Sequence, residues 1–226
     1  MIFRGVEGIF FDLDGTLVDS VPDLAVAVDT MMAKLDLPTR GEHKVRQWVG
    51  NGAEMLIRRA LADDIRGNAP QGLVERARPL FKAAYLDHIC VRSRLYPGVR
   101  EGLGRLHQAG FRLACVTNKP AHFAHPLLER IGLMELFDTV VGGECTPNKK
   151  PAPDALLLCA ERLGLPIARG LMVGDSVNDV GAARNAGCPV VCVPYGYNHG
   201  RDIREAEPDG VIETLDQLPA LLREAA

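Results

Sequence analysis

Gly8-Ile9-Phe10-Phe11-Asp12-Leu13-Asp14-Gly15-Thr16-Leu17 is the stretch that decides the fold. An apolar run stops abruptly at two carboxylates one residue apart, and Gly and Thr follow. Apolar residues on both faces, ended by a turn signal, read as a buried parallel strand. A two-residue step along an extended chain puts Asp12 and Asp14 on the same side, at the strand's carboxyl end. That edge of an open α/β sheet is where ligands bind. Like charges held there among apolar neighbours are costly unless a cation or a proton sits between them. The pair therefore reads as a metal or acid–base site.

The rest of the chain fits that beginning. From about residue 97 helical and strand patterns alternate. Strands are expected at Phe111–Val116, Phe137–Val141, Leu171–Val173 and Pro189–Val193, with helices between them closed by Gly110, Gly132, Gly164 and Gly187. Such alternation predicts right-handed βαβ units and a doubly wound parallel sheet, a Rossmann-like α/β core of five main strands. Residues 18–91 break the rhythm with amphipathic helices over Pro22–Leu35, Gly41–Trp48, Ala53–Leu61 and Leu73–Cys90. The expected organisation is an α/β core, residues 1–17 and 92–226, with an all-helical cap, residues 18–91, inserted after the first strand. Both ends of the insertion return to the mouth of the site.

Composition narrows the class. The 226 residues are 47% hydrophobic and 24% charged, with net charge −3. That is an ordinary globular balance, and no basic run suggests a nucleic-acid partner. No apolar stretch is long enough to span a bilayer, and Met1-Ile2-Phe3-Arg4 runs almost directly into the first strand. A cytoplasmic enzyme, monomer or homodimer, is the expectation. Six scattered cysteines read as buried reduced thiols; Cys188, Cys192 and His199 match no common zinc spacing. His122 and His125 share one face of a helix and read as a polar surface rather than a metal site.

Short motifs end four of the strands: Asp12-Leu13-Asp14-Gly15-Thr16, Val116-Thr117-Asn118-Lys119, Asn148-Lys149-Lys150-Pro151 and Gly174-Asp175-Ser176-Val177-Asn178-Asp179. In a parallel sheet these edges converge. Together they bring carboxylates suited to Mg²⁺, and a hydroxyl, an amide and an ammonium suited to phosphate oxygens.

This set, in this order, resembles the haloacid dehalogenase superfamily over nearly the whole chain. A finer likeness, to the bacterial phosphoglycolate phosphatases, is carried by Phe11 to Ser20, Val49-Gly50-Asn51-Gly52-Ala53, Val116 to Pro120, Asn148 to Pro151, and Tyr195-Gly196-Tyr197-Asn198-His199-Gly200. The resemblance implies a phosphomonoesterase acting on a small phosphorylated metabolite, 2-phosphoglycolate, in salvage of a two-carbon by-product. It implies that Asp12 attacks phosphorus and that Asp14 serves as acid and then base. Mg²⁺ would be held by Asp12, by the backbone carbonyl of Asp14 and by Asp175, with Asp179 behind them. Thr117, Asn118 and Gly15 would bind phosphoryl oxygens, and Lys150 would pair with both Asp12 and phosphate.

Neighbouring activities separate on particular residues. A dehalogenase expels halide and does not need Asp14, and phosphonate hydrolases of the superfamily also lack that carboxylate. A phosphomutase keeps both aspartates. A phosphatase for N-acetylmuramic acid 6-phosphate shares the core and differs in the cap. A dinucleotide-binding module would need Gly-Xaa-Gly-Xaa-Xaa-Gly where Asp12 to Thr16 stand. A non-catalytic scaffold would be expected to have lost a motif residue, and none is missing. In the insertion, Trp48-Val49-Gly50-Asn51-Gly52 reads as a specificity loop, and Arg46 or Arg58 as the partner of a substrate carboxylate.

Overall fold

The computed structural model describes residues 3–223; Met1, Ile2 and residues 224–226 lie outside the described residues. Strand β1 (Phe3–Arg4) leads into β2 (Gly8–Phe11), the first strand of the main sheet. The short β3 (Val18–Asp19) then gives way to four helices: α1 (Val21–Lys34), α2 (Gly41–Trp48), α3 (Ala53–Ala62) and α4 (Gln71–His88). Strand β4 (Arg94–Leu95) returns antiparallel to β3, pairing Val18 with Leu95 and Asp19 with Arg94. The two chain crossings into and out of the helical segment are thus stapled to each other.

The alternation that follows is α5 (Val99–Gln108), β5 (Arg112–Val116), α6 (Ala121–Arg130), β6 (Thr139–Val141), α7 (Asp154–Leu163), β7 (Gly170–Gly174), α8 (Val177–Ala186), β8 (Val190–Cys192) and β9 (Gly210–Val211). The sheet is parallel, in the order β6-β5-β2-β7-β8-β9. Strand β9 lies beyond the five expected strands; two residues give no periodicity to read. A last strand, β10 (Leu222–Arg223), pairs with β1.

Side-chain parity explains why the interior of the sheet is apolar. Ile9, Phe11, Leu113, Cys115, Leu171 and Val173 point to one face of the sheet, where α5 and α6 cover them and the core runs on into the helical segment. Phe10, Ala114, Val116, Met172, Val190 and Cys192 point to the other, against Leu156, Cys159, Val180 and Ala183 of α7 and α8. Helices on both faces leave few strand positions for a polar residue; Arg112 and Thr139 stand at the starts of β5 and β6.

The helical segment packs around α1, which lies against α4, α2 and α3. An aromatic cluster joins it to the core. The rings of Phe81 and Tyr85 on α4 are stacked with centroids 5.8 Å apart, and the ring of Phe123 on α6 meets Tyr85 edge-on at 5.0 Å. Among the described residues no helix is long and apolar enough to cross a membrane. Four cysteines are buried, but Cys90 is half-buried and Cys145 is exposed, so the expectation of uniformly buried thiols fails at those two.

Candidate active site

Strand β2 is central because the chain leaves it for β5 and β6 on one side and later adds β7, β8 and β9 on the other. That reversal opens a crevice at the carboxyl edge. Phe11 is in register with Cys115 and Val173, so Asp12, Thr117 and Asp175 emerge there together. The amide of Asp12 still donates to the carbonyl of Val173, at 2.9 Å, which fixes the start of the motif to the neighbouring strand.

Asp12 lies in a strongly charged pocket. Its Oδ1 is 2.8 Å from the Lys150 ammonium. That ammonium aims hydrogen bonds at the Val116 carbonyl, 2.8 Å, and at Asp179 Oδ1, 2.7 Å. Asp12 Oδ1 is left buried and without an aligned hydrogen-bond donor among the described residues. Burial pushes the Asp12 carboxyl up to about 7; Lys150 pulls it down, and Asp179 and Asp14 push it up. Burial, with Asp179 and Asp12 beside it, also holds Asp175 well above the usual carboxylate range. Burial acts to lower the Lys150 ammonium, but Asp12 and Asp179 outweigh it and keep Lys150 above its ordinary value.

Oxygens of Asp12, Asp175 and Asp179 lie within 4.8 Å of one another, all on buried residues. Against these carboxylates stands the ammonium of Lys150. An excess of buried negative charge and an all-oxygen donor set fit a hard divalent cation. The glycines support the same reading: a Cβ on Gly15 would come 2.4 Å from Asp175 Oδ2, and one on Gly196 would come 2.3 Å from the Asp175 Cβ. The chain closes tightly on that carboxylate. Thr16 Oγ1 and the Tyr197 amide each donate to Asp175 at 2.6 Å, orienting its oxygens.

Asp179 is held differently. Its Oδ2 accepts from the amides of Asp175, 3.1 Å, and Ser176, 3.0 Å, in a capping box at the start of α8. Its Oδ1 takes the Lys150 bond. The helix-start reading describes this residue.

Asp14 accepts a 2.6 Å hydrogen bond from Ser20 Oγ and lies 3.0 Å, through both oxygens, from the ammonium of Lys119. The motif ending β5 includes Lys119, but the sequence assigns it no role beside Thr117 and Asn118. A lysine after a strand end reads as solvated, yet this side chain is 4% exposed.

Several expected contacts need correction. The Asn118 side chain is fully committed: Nδ2 donates to the carbonyls of Gly50 and Lys150, both at 3.0 Å, and Oδ1 accepts from the Lys150 amide at 2.9 Å. It is a strut between strand end, lysine loop and helical segment, and does not point an amide at a phosphoryl group. The Gly15 amide donates to the Val18 carbonyl at 2.9 Å, so Gly15 shapes the turn, at φ 97°, rather than offering that N–H to phosphate. Thr117 Oγ1 accepts from the Lys119 amide at 3.1 Å and keeps its proton free to donate.

A cavity of about 40 Å³ lies over these groups, lined by Asp12, Asp14, Thr117 and Lys119 below and by Val49, Gly50, Gly52 and Ala53 from the helical segment. Part of the expected specificity loop therefore faces the site. Trp48 does not: it is buried in the core of the helical segment. Asn51 turns toward Asn178, with Nδ2 3.5 Å from its Oδ1. Both arginines lie outside the cavity lining. Arg46 pairs with Asp19 at 3.2 Å and Glu42 at 3.0 Å, and Arg58 with Glu54 at 3.0 Å. His122 is near Glu144, 3.5 Å, on the surface.

Comparison with known proteins gives the family. Residues 6–187 match the model of the haloacid dehalogenase-like hydrolases. A phosphoglycolate phosphatase from Nitrosococcus oceani is 52% identical, over 97% of this chain and 98% of its own length. One from Nitrosospira multiformis is 43% identical over 98% and 97%. Among solved structures, a predicted phosphoglycolate phosphatase from Haemophilus somnus 129pt superposes with TM-score 0.90 at 36% identity, covering 96% of this chain and 98% of that one. With its motifs at one sheet edge and a family match across most of its length, this chain belongs to the haloacid dehalogenase-like hydrolases.

Proposed function

We propose that the chain hydrolyses phosphomonoesters through an aspartyl-phosphate on Asp12, with 2-phosphoglycolate as substrate. The observation carrying the reaction is Asp12 itself, a buried carboxylate at the end of the central strand, 2.8 Å from Lys150 and on the same edge as Asp14. In this scheme Asp12 attacks phosphorus and the bond from phosphorus to the ester oxygen breaks. Asp14 gives its proton to the departing alkoxide, then takes one from the water that cleaves the acyl phosphate. The Thr117 hydroxyl donates to a phosphoryl oxygen, and Lys150 offsets the charge that gathers there. Mg²⁺ would be held by the Asp12 carboxylate, the Asp14 backbone carbonyl and the Asp175 carboxylate, with Asp179 fixing Lys150 behind them. When bound, it lets an anionic nucleophile approach an anionic ester by offsetting both charges.

The substrate reading draws on the phosphoglycolate phosphatase relatives. In this reading residues 1–17 and 92–226 are the catalytic core, and residues 18–91 are a cap that selects substrate.

Phosphate release from a panel of esters tests both parts. The expected order puts 2-phosphoglycolate roughly 10-fold or more above sugar phosphates in kcat/KM, with activity lost in EDTA and restored by Mg²⁺. Asp12→Asn should abolish turnover while the chain still folds, because the change is nearly isosteric and relieves carboxylate repulsion. Substantial turnover by that variant would remove Asp12 from the nucleophile role.

A further inference from the structure

A carboxylate entering an apolar pocket needs a cation or donor to replace its water. The upper wall of the cavity is apolar, formed by Leu24, Leu56, Phe81 and Phe123. Lys119 is a cation in that lining. Its Nζ lies 3.0 Å from both oxygens of Asp14 and 4.7 Å from the centroid of the Tyr85 ring. Tyr85 lines the same cavity from α4, and its buried hydroxyl has no hydrogen-bond partner among the described residues. Burial pushes that phenol up to about 12, so it remains a donor at neutral pH. A buried hydroxyl without an aligned partner is costly, and its position beside an ammonium that Asp14 already pairs points to an anionic ligand that accepts from the hydroxyl and shares the ammonium with Asp14.

We infer that Lys119 and Tyr85 together form the receptor for the substrate's carboxylate and set the preference for short acidic esters. The inference rests on the substrate class proposed above. Chain length connects the two sites. In 2-phosphoglycolate a single methylene separates the ester oxygen from the carboxylate. Asp14 must reach that ester oxygen, so a cation touching Asp14 also reaches the carboxylate. A longer acid would carry its charge past Lys119 into the apolar wall. Lys119 follows β5 of the core and Tyr85 stands on α4, so one carboxylate bridges the two layers. The helical segment thereby takes part in selection without placing an arginine in the cavity.

The test compares 2-phosphoglycolate with ethyl phosphate, which has the same chain length and no carboxylate. Wild-type protein should prefer the acid strongly. Lys119→Met should collapse the preference, lowering the ratio of kcat/KM for 2-phosphoglycolate to that for ethyl phosphate by roughly 10²-fold, while any effect through its contact with Asp14 falls on both esters alike. Lys119→Arg should recover part of the preference. Tyr85→Phe should cost roughly 10-fold on the acid alone. Melting temperatures of the variants check that the fold persists. Equal losses on both esters, or a Lys119→Met protein that keeps its preference, would overturn the receptor while leaving the substrate assignment intact. A wild-type protein indifferent to the carboxylate would overturn both.

Discussion

Asp14 shows how far one side chain can be read. Its position after the strand was legible from spacing alone. Its partners were not, because Ser20 and Lys119 are brought to it by a turn and by a different strand. Ser20 can donate to Asp14 whether or not the carboxyl is ionised, so the side chain stays aimed through a cycle in which it gives and regains a proton. The proposed roles can be separated by substrate. With 2-phosphoglycolate the leaving alkoxide needs that proton; with p-nitrophenyl phosphate the leaving phenolate does not. In Asp14→Asn, formation of the aspartyl-phosphate should fall by roughly 10²–10⁴-fold for the glycolate ester and only mildly for the aryl ester. Hydrolysis of the intermediate should slow for both. Rapid mixing with the aryl ester should then show a burst of nitrophenolate close to one per active site, followed by a slow phase. Equal slowing of the first step for both esters, with no burst, would leave Asp14 without an acid role.

Secondary-structure elements act here through the few bonds that join their ends. Asn118 ties the end of β5 to the Gly50 carbonyl of the helical segment and to both backbone groups of Lys150. Asn118→Ala leaves an amide and two carbonyls without that partner, at a cost of about 2–4 kcal/mol in urea unfolding. It also loosens the loop that aims Lys150, so kcat should fall although no atom of the Asn118 side chain is assigned to phosphate. Asn118→Asp keeps an acceptor for the Lys150 amide but turns a carboxylate toward two carbonyls, and should destabilise at least as much. If Asn118→Ala matched wild type in both stability and kcat, the strut would carry no weight. The sequence offers Asn118 as a partner of phosphoryl oxygens; the structure commits its side chain to Gly50 and Lys150. A strand-end amide beside a hydroxyl has the same spacing whether it binds a ligand or braces a loop, and the difference lies in what two distant loops present to it. Gly15 is a parallel case, since its close approach to Asp175 depends on a residue 160 positions along the chain. Trp48 is another: its neighbours in sequence line the cavity, while its own bulk belongs to the core of the helical segment.

At the scale of the molecule, the sheet was legible because burial on both faces makes the interior of each strand an apolar run, and glycines punctuate the helices between them. The helical segment was legible as a break in that rhythm. The β3–β4 staple and β9 were not, since strands of two residues carry no period. The pairing of the whole sheet also concentrates carboxylates at one edge, and this has a thermodynamic consequence. Without metal, burial holds the Asp12 carboxyl up near 7 and Asp175 well above the usual range. In the unfolded chain both return to about 3.9. Between about pH 4 and pH 7 the native protein therefore retains protons that the unfolded chain has lost. The contribution of these groups to stability falls with rising pH across that window, by about 1.4 kcal/mol per unit for each such proton. The Asp12 contribution is fully present below about pH 4 and is lost as pH rises through about 7; Asp175 acts in the same direction. A divalent cation replaces those protons, so it competes with them and stabilises more as pH rises. In EDTA the melting temperature should decline from about pH 5 to pH 8 relative to Asp12→Asn, which lacks one of the protons. Saturating Mg²⁺ at about 100 times its Kd adds about 2.7 kcal/mol, a rise of roughly 5–10 °C for a chain of this size. At a fixed millimolar Mg²⁺ concentration that rise should be larger at pH 8 than at pH 5, and binding should release protons into weakly buffered solution. An increment independent of pH would mean that the ion does not bind where Asp12 and Asp175 hold their protons, and would move the metal site away from this edge of the sheet.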